Sequence, residues 1–406
     1  MRHAFFLAVH SLWWNRGRSL TIILSLAITI WLPVTVRLAL RQFQQEISAR
    51  AASTPLIVGA RGSRIDLVLH ALYFESVPPA EVSMKDLEQT TESGLAIGIP
   101  LHIRYRSQSA PGLDGAPIVG TSLEYFEFRG LRPAEGALPA LLGECVVGSE
   151  YARLAGLKVG DSVLSAPRNA LNLAGDYPLK MQITGILEPT QSPDDKAIFT
   201  DVQTAWVIDG IGHGHQEVSK NTDPALLLQR EDENGNRKDS KTFTANAGVL
   251  PFTEITDANR DSFHFHGEPG DFPLTAIIVV PETEKARVQI LGRFQSSDSE
   301  AQCIKPPDVI DELMSMVFRI EQLVWACSVA ALVVTLLLLG LVLNLSLRLR
   351  AAEMQTMFRL GCSRGTIWML QTAEILVLLA CASLLALTGS WLTVTLGSDA
   401  IRTLLY

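Results

Sequence analysis

Three long stretches of this chain carry no charged residue, and between the first two the pattern changes character. Residues 19–36, "SLTIILSLAITIWLPVTV", 322–347, "QLVWACSVAALVVTLLLLGLVLNLSL", and 375–398, "ILVLLACASLLALTGSWLTVTLGS", lack Asp, Glu, Lys and Arg altogether. About 20 apolar residues suffice to cross the hydrocarbon layer of a bilayer as a helix. Spanning helices are therefore predicted over 19–40, 322–347 and 367–398. Pro33 removes one backbone hydrogen bond from the first, a defect that neighbouring helices absorb. Upstream, "HAFFLAVHSLWW" places Phe5, Val9, Leu12 and Trp13 on one helical face and His3 and His10 on another. That predicts an amphipathic helix lying in the membrane interface over 1–18. A basic start before an apolar core also fits a cleavable signal peptide, with Ala49-Arg50-Ala51 as a loose cleavage site. The 18 residues ahead of the core favour an uncleaved helix.

Residues 41–321 alternate shorter patterns that predict an α+β domain. "PLIVGARGS" fits a strand and glycine turn, and "RIDLVLHALYF" a short helix. "GIPLHIRYRS" and "APIVGTS" have strand patterns. "ECVVGSEYARLAGLKVGDSV" runs strand, helix, then a Val159-Gly160-Asp161 turn. "LKMQITGILEPT" and "KAIFTDVQTAW" fit a strand pair bracketing the turn "SPDD". "FPLTAIIVVPE" predicts another strand, with a helix start near Glu282 after it. "PPDVIDELMSMVFRIEQ" predicts an amphipathic helix leading into the second span. The charged insert "REDENGNRKDSK" has a hairpin signal at Asn234-Gly235 but not the ligand spacing of a calcium loop.

Charge fixes orientation. Arg2, Arg16 and Arg18 precede the first span, and Arg348, Arg350, Arg359 and Arg364 lie between the second and third against Glu353 alone. Short basic flanks face the cytoplasm. A multi-pass protein of the cytoplasmic (inner) membrane follows, its large domain and C-terminal tail (399–406) on the extracytoplasmic, periplasmic side. The net charge of −8 argues against a nucleic-acid partner. Of five cysteines, Cys145 and Cys303 would share the oxidising side, where a disulfide is permitted but the spacing decides nothing. No Gly-Lys pair of a phosphate-binding loop, H-E-x-x-H or C-x-x-C occurs, so the chain is read as non-catalytic.

The segment "RLRAAEMQTMFRLGCSRGTIWML" at 348–370 combines these arginines with helical apolar spacing at Met354, Met357 and Phe358. Gly361 followed by Ser363 is a stop-then-restart signal. A cytoplasmic hairpin over 348–366 with an adaptable, charged docking surface results. This segment resembles the signature of the FtsX-like permeases, the MacB and LolC type of ABC-transporter membrane subunit. The matching positions are Arg348, Arg350, Glu353, Met354, Arg359, Gly361, Ser363, Arg364 and Glu374, with Cys362 in place of the common alanine. "LAVHSLWWNRGRSLTIILSLAI" is similar to the family's first helices, and residues 41–321 resemble its MacB-like periplasmic domain.

The resemblance implies a permease subunit that pairs with a second permease, as homo- or heterodimer, and binds a separate cytoplasmic ATPase. Its coupling hairpin would use Glu353, Met354, Met357, Phe358, Arg359, Gly361, Ser363 and Arg364. Motion, and not a pore, would act on a lipoprotein, lipid, peptide, drug or metal-related substrate in contact with membrane lipids. The family has four spans where this chain shows three. Truncation, a fourth helix from another polypeptide, and sufficiency of three all fit.

Two H-x-H windows, "GHGHQE" and "FHFHGEPGD", fall within an insert at about 210–272 and hold half of the eight histidines. Alternate residues of a strand share a face, so His213, His215, His264 and His266 are candidates for a zinc or copper site, with Glu217, Glu268 and Asp271 nearby. Solvated loop histidines account for them equally simply, and no cofactor is required by anything else. The alternative function is a membrane-anchored extracytoplasmic metal-binding or sensor protein without an ATPase. A metal hydrolase lacks a recognisable general base.

Overall fold

The computed structural model describes residues 6, 10, 12–14, 16–75, 80–91, 94–109, 112–167, 178–214, 227–228, 244–245, 252–294, 300–349, 355–356, 359 and 364–405. The chain divides into two compact units, Met1–Ala49 with Asp311–Leu405, and Arg50–Ile310.

The first unit is built on three helices, Arg16–Ala52, Pro306–Leu349 and Arg364–Leu405. Within them Ser19–Ala52, Pro306–Val342 and Thr372–Thr395 are long and apolar enough to cross a membrane. Each helix outruns its uncharged stretch, because "RLALRQFQQEISARAA" and "PPDVIDELMSMVFRIEQ" are strong helix formers although they carry charge. Pro306 opens the second helix, where its missing N–H has no partner to lose. Both borders between the units, at 49–50 and 310–311, therefore fall inside helices. Leu26, Ala27, Leu339 and Ala382 form a small core, and Thr35 Oγ1 donates to Ser390 Oγ at 3.0 Å. The outward side is apolar: Leu337 is 70% and Leu384 68% exposed. That inversion of the usual rule suits hydrocarbon as the surrounding solvent. Of the predicted 1–18 helix, Phe6, His10 and residues 12–14 are helical, with Trp13 and Trp14 exposed.

The second unit is a mixed α/β domain. Its main sheet, among the described residues, has eleven strands. The path runs Thr253–Glu254, Leu179–Leu187, Glu144–Val147, Ile198–Asp201, Pro117–Thr121, Ala96–Arg106, Ala276–Pro281, Leu56–Ala60, Ala301–Ile304. Pro133–Gly136 and Ser162–Leu164 also pair with Leu179–Leu187. Leu56–Ala60 is buried along its whole length, whereas Leu179–Leu187 alternates buried positions with partly or fully exposed ones, as expected of a strand covered on one face. Among the described residues, one apolar cluster gathers around Leu56, Ile277 and Trp206 and another around Cys145, Leu179 and Ile198.

Most predicted strands and helices are present. One pairing differs. Leu179–Leu187 and Ile198–Asp201 do not form a hairpin across "SPDD"; Glu144–Val147 lies between them, parallel to the first and antiparallel to the second. "SPDD" is instead a 3₁₀ turn, Pro193–Lys196. The "VQTAW" end of the predicted strand is a helix, Val202–Ile208, because Asp201 caps it by accepting from the Gln203 N–H. The charged insert at 230–241 lies outside the described residues.

Candidate functional site

Of the residues expected to form a coupling hairpin, Glu353, Met354, Met357, Phe358, Gly361 and Ser363 lie outside the described residues. Arg359 is helical and exposed, and Arg364 opens the third helix, directly after the serine expected to cap it. Glu374, expected early in that helix, is buried.

Cys145 and Cys303 are both free thiols. Cys145 sits in Glu144–Val147 and Cys303 in Ala301–Ile304, with five strands of the sheet between them. A disulfide needs roughly 4.4–6.8 Å between Cα atoms, so the permitted bond does not form. Burial pushes both thiols up to about 12, which leaves them inert as nucleophiles.

Sequence reasoning missed a charged cluster at the start of the α/β unit. Arg50, last-turn residue of its helix, forms a two-pronged ion pair with Asp194: Nη1 lies 2.6 Å from Oδ2, and Nη2 donates to Oδ1 at 2.9 Å. The Tyr125 hydroxyl donates to Asp194 Oδ1 at 2.8 Å, and Ser192 Oγ donates to Oδ2 at 2.9 Å. Arg50 also stands over the Phe74 ring, 5.6 Å from its centroid. Both charges are buried, at 9% and 2% side-chain exposure. Burial pushes the Asp194 carboxyl up, but the Arg50 charge and hydrogen bonds outweigh it and hold it below its ordinary range. The only hint in the sequence was acidic residues in an otherwise turn-like "SPDD"; Arg50 itself fitted a cleavage site better than a core. A second buried set joins His102 Nε2 to Asp209 Oδ2 at 3.4 Å, with the Tyr105 hydroxyl donating to the same carboxylate.

The histidine windows do meet. Gly212–His213 pairs antiparallel with His264–Phe265, so that His213 faces His264 and Gly212 faces Phe265. The His266 N–H donates to the Ile211 carbonyl at 3.1 Å, extending the register. Strand alternation then sorts the residues by face. On one side Phe265 lies against Gly212 and Phe263 against Gly214; a Cβ on either glycine would come within 2.6 Å or 2.4 Å of the facing ring. Phe265 continues into the core through Trp206 and Phe272, with ring centroids 6.3 and 6.0 Å away. On the other side His213, His264 and His266 gather with centroids 4.6 to 4.8 Å apart. One ligand atom from each lies within 4.8 Å of the others. His264 Nδ1 is 3.2 Å from the Ser262 carbonyl.

His215 and Glu217 lie outside the described residues. Glu268 and Asp271 are turned to Lys85, at 3.8 and 2.5 Å, and are not part of the histidine group. The G-H-G-H and F-H-F-H spacings are thus two halves of one ribbon, in which the small and aromatic positions interlock and the imidazoles share the opposite face.

No family model and no curated protein matches the chain. Solved structures give distant likenesses. One is the periplasmic region of MacB from Actinobacillus actinomycetemcomitans, with a TM-score of 0.36 and 10% identity over 64% of this chain and 92% of that one. Another is the extracellular domain of the noncanonic ABC-type transporter YknZ from Gram-positive bacteria, at 0.32 and 9%, covering 61% and 98%. A domain of a protein described as a permease from Porphyromonas gingivalis gives 0.27 and 11%, covering 62% and 86%. Likenesses this distant carry no functional inference.

Proposed function

We propose that this chain is the permease subunit of an ABC transporter, with ATP hydrolysis supplied by a separate cytoplasmic ATPase. One observation carries the reading. An α/β domain lies between the first and second of three apolar helices, while the segment joining the second and third bears the arginines and the glycine-serine break described above. The resemblance of residues 348–370 to the FtsX-like permeases implies motion and not a pore. The reading is therefore of a machine that works on its cargo by moving the extracytoplasmic domain, with the cytoplasmic hairpin as the part that the ATPase moves. The domains follow as an interfacial helix, three spans, one outer domain and one coupling hairpin. Cargo would be a lipoprotein, lipid, peptide, drug or metal-related compound, and a second permease subunit would complete the assembly.

Arg359 and Arg364 would pair with carboxylates on the ATPase, a contact that depends on charge sign. Expressed in its native cells, the chain with Arg359→Glu and Arg364→Glu should reach the membrane in normal amount yet lose the ATPase that co-purifies with the parent. Undiminished co-purification would overturn the assignment of the hairpin. Absence of any ATPase from the wild-type assembly would favour the alternative, an anchored extracytoplasmic metal-binding protein, for which the histidine cluster is the supporting observation.

A further inference from the structure

We propose that His213, His264 and His266 form a binding site for a first-row divalent cation, zinc foremost, in which the described residues supply three ligands. This does not depend on the transporter reading. Cross-strand pairing of His213 with His264, and the i, i+2 relation of His264 to His266, place three neutral-nitrogen donors on one face of one ribbon. Imidazole is the ligand type that zinc, copper and nickel share, and three histidine nitrogens are enough protein ligands to hold zinc.

The distances fit. Tetrahedral ligation with Zn–N near 2.0–2.1 Å sets nitrogens about 3.3 Å apart. Donors now within 4.8 Å of one another need to close by roughly 1.5 Å or less, within the reach of the broad imidazole χ2 torsion.

Two further features prepare the site. The Ser262 carbonyl can only accept, so its 3.2 Å contact with His264 Nδ1 fixes the tautomer that leaves Nε2 as the ligand. Backbone carbonyls orient metal-bound histidines in this way elsewhere. The opposite face of the ribbon is held by Phe265 against Trp206 and Phe272, so the imidazoles project from a backbone that the core positions. Two described residue pairs make a ribbon that is marginal by itself, and a cation bridging both strands would close it.

The competing account is that the three rings only pack against one another, as cross-strand aromatic pairs do. His264→Phe separates the two, since it keeps a ring at that position and deletes the donor. Full-length protein in detergent, stripped of metal with a chelator, is titrated with Co²⁺ and followed by its visible absorption. The expected result is one equivalent bound, with the intense bands of a four- or five-coordinate site, displaced by one equivalent of Zn²⁺. His264→Phe and His266→Ala should each weaken both metals by more than about a hundredfold, since even an outer partner of a ligand costs 10- to 100-fold. Their far-UV circular dichroism and metal-free melting temperature should match the parent. Failure of the parent to bind Co²⁺, or binding by both variants as tight as the parent's, would overturn the site.

Discussion

Arg50 and Asp194 show what a single buried pair costs to break. Two charges out of water are tolerated here because every oxygen of the carboxylate is answered, by Arg50, Tyr125 and Ser192. Asp194→Asn leaves the guanidinium buried without a counter-charge, and a loss of about 3–5 kcal/mol is expected, read as a lower denaturant midpoint of the full chain. The pH profile identifies the cause. The carboxyl is held below its ordinary value of 3.8 in the folded protein, so the folded state binds that proton less readily than the unfolded chain. Its contribution is complete above about pH 4 and is lost as pH falls through the lower folded value. The stability gap between wild type and Asp194→Asn should therefore stay level from neutral pH down to about pH 4 and narrow below it. A gap that narrowed with rising pH would refute this account.

Among the elements, the junction of Glu144–Val147 with the helix Ser149–Ala155 is closely packed. Gly148 bridges them with extended backbone, and a Cβ there would lie 2.3 to 2.4 Å from backbone atoms of Asp194 and Asp195. Backbone cannot step aside as a side-chain tip can. Gly148→Ala should cost about 1–3 kcal/mol, the usual range for overpacking, and lower the melting temperature. Equal melting would show that the "SPDD" turn can shift. The elements themselves were legible in the sequence wherever a period of two or of 3.6 ran for a full segment, as in "LKMQITGIL" or "RIDLVLHALY". What was not legible was partnership. Periodicity reports which face is buried but not which strand lies beside it, so the insertion of Glu144–Val147 between two strands close in sequence could not be foreseen. The histidine pairs were visible as spacing, and the interleaved glycines and phenylalanines that explain them became intelligible only once the register joined two windows about fifty residues apart. Arg50 was hidden for the opposite reason: nothing in "SARAAS" signals burial.

Most of the exposed large apolar side chains lie on the three long helices, and fewer on the α/β unit. On the proposed reading the arginine distribution orients the chain, with the basic hairpin inside the cell. In a chain with its native cysteines replaced, a membrane-impermeant maleimide applied to intact spheroplasts should label Lys158→Cys, exposed on the α/β unit, and not Arg359→Cys. Labelling in the reverse order would invert the topology and remove the basis for a cytoplasmic partner. Because both borders of the α/β unit fall within helices, neither offers the extended backbone that proteases engage. The outer part of this molecule would not be shed by clipping at its edges in the way that loosely tethered ectodomains are.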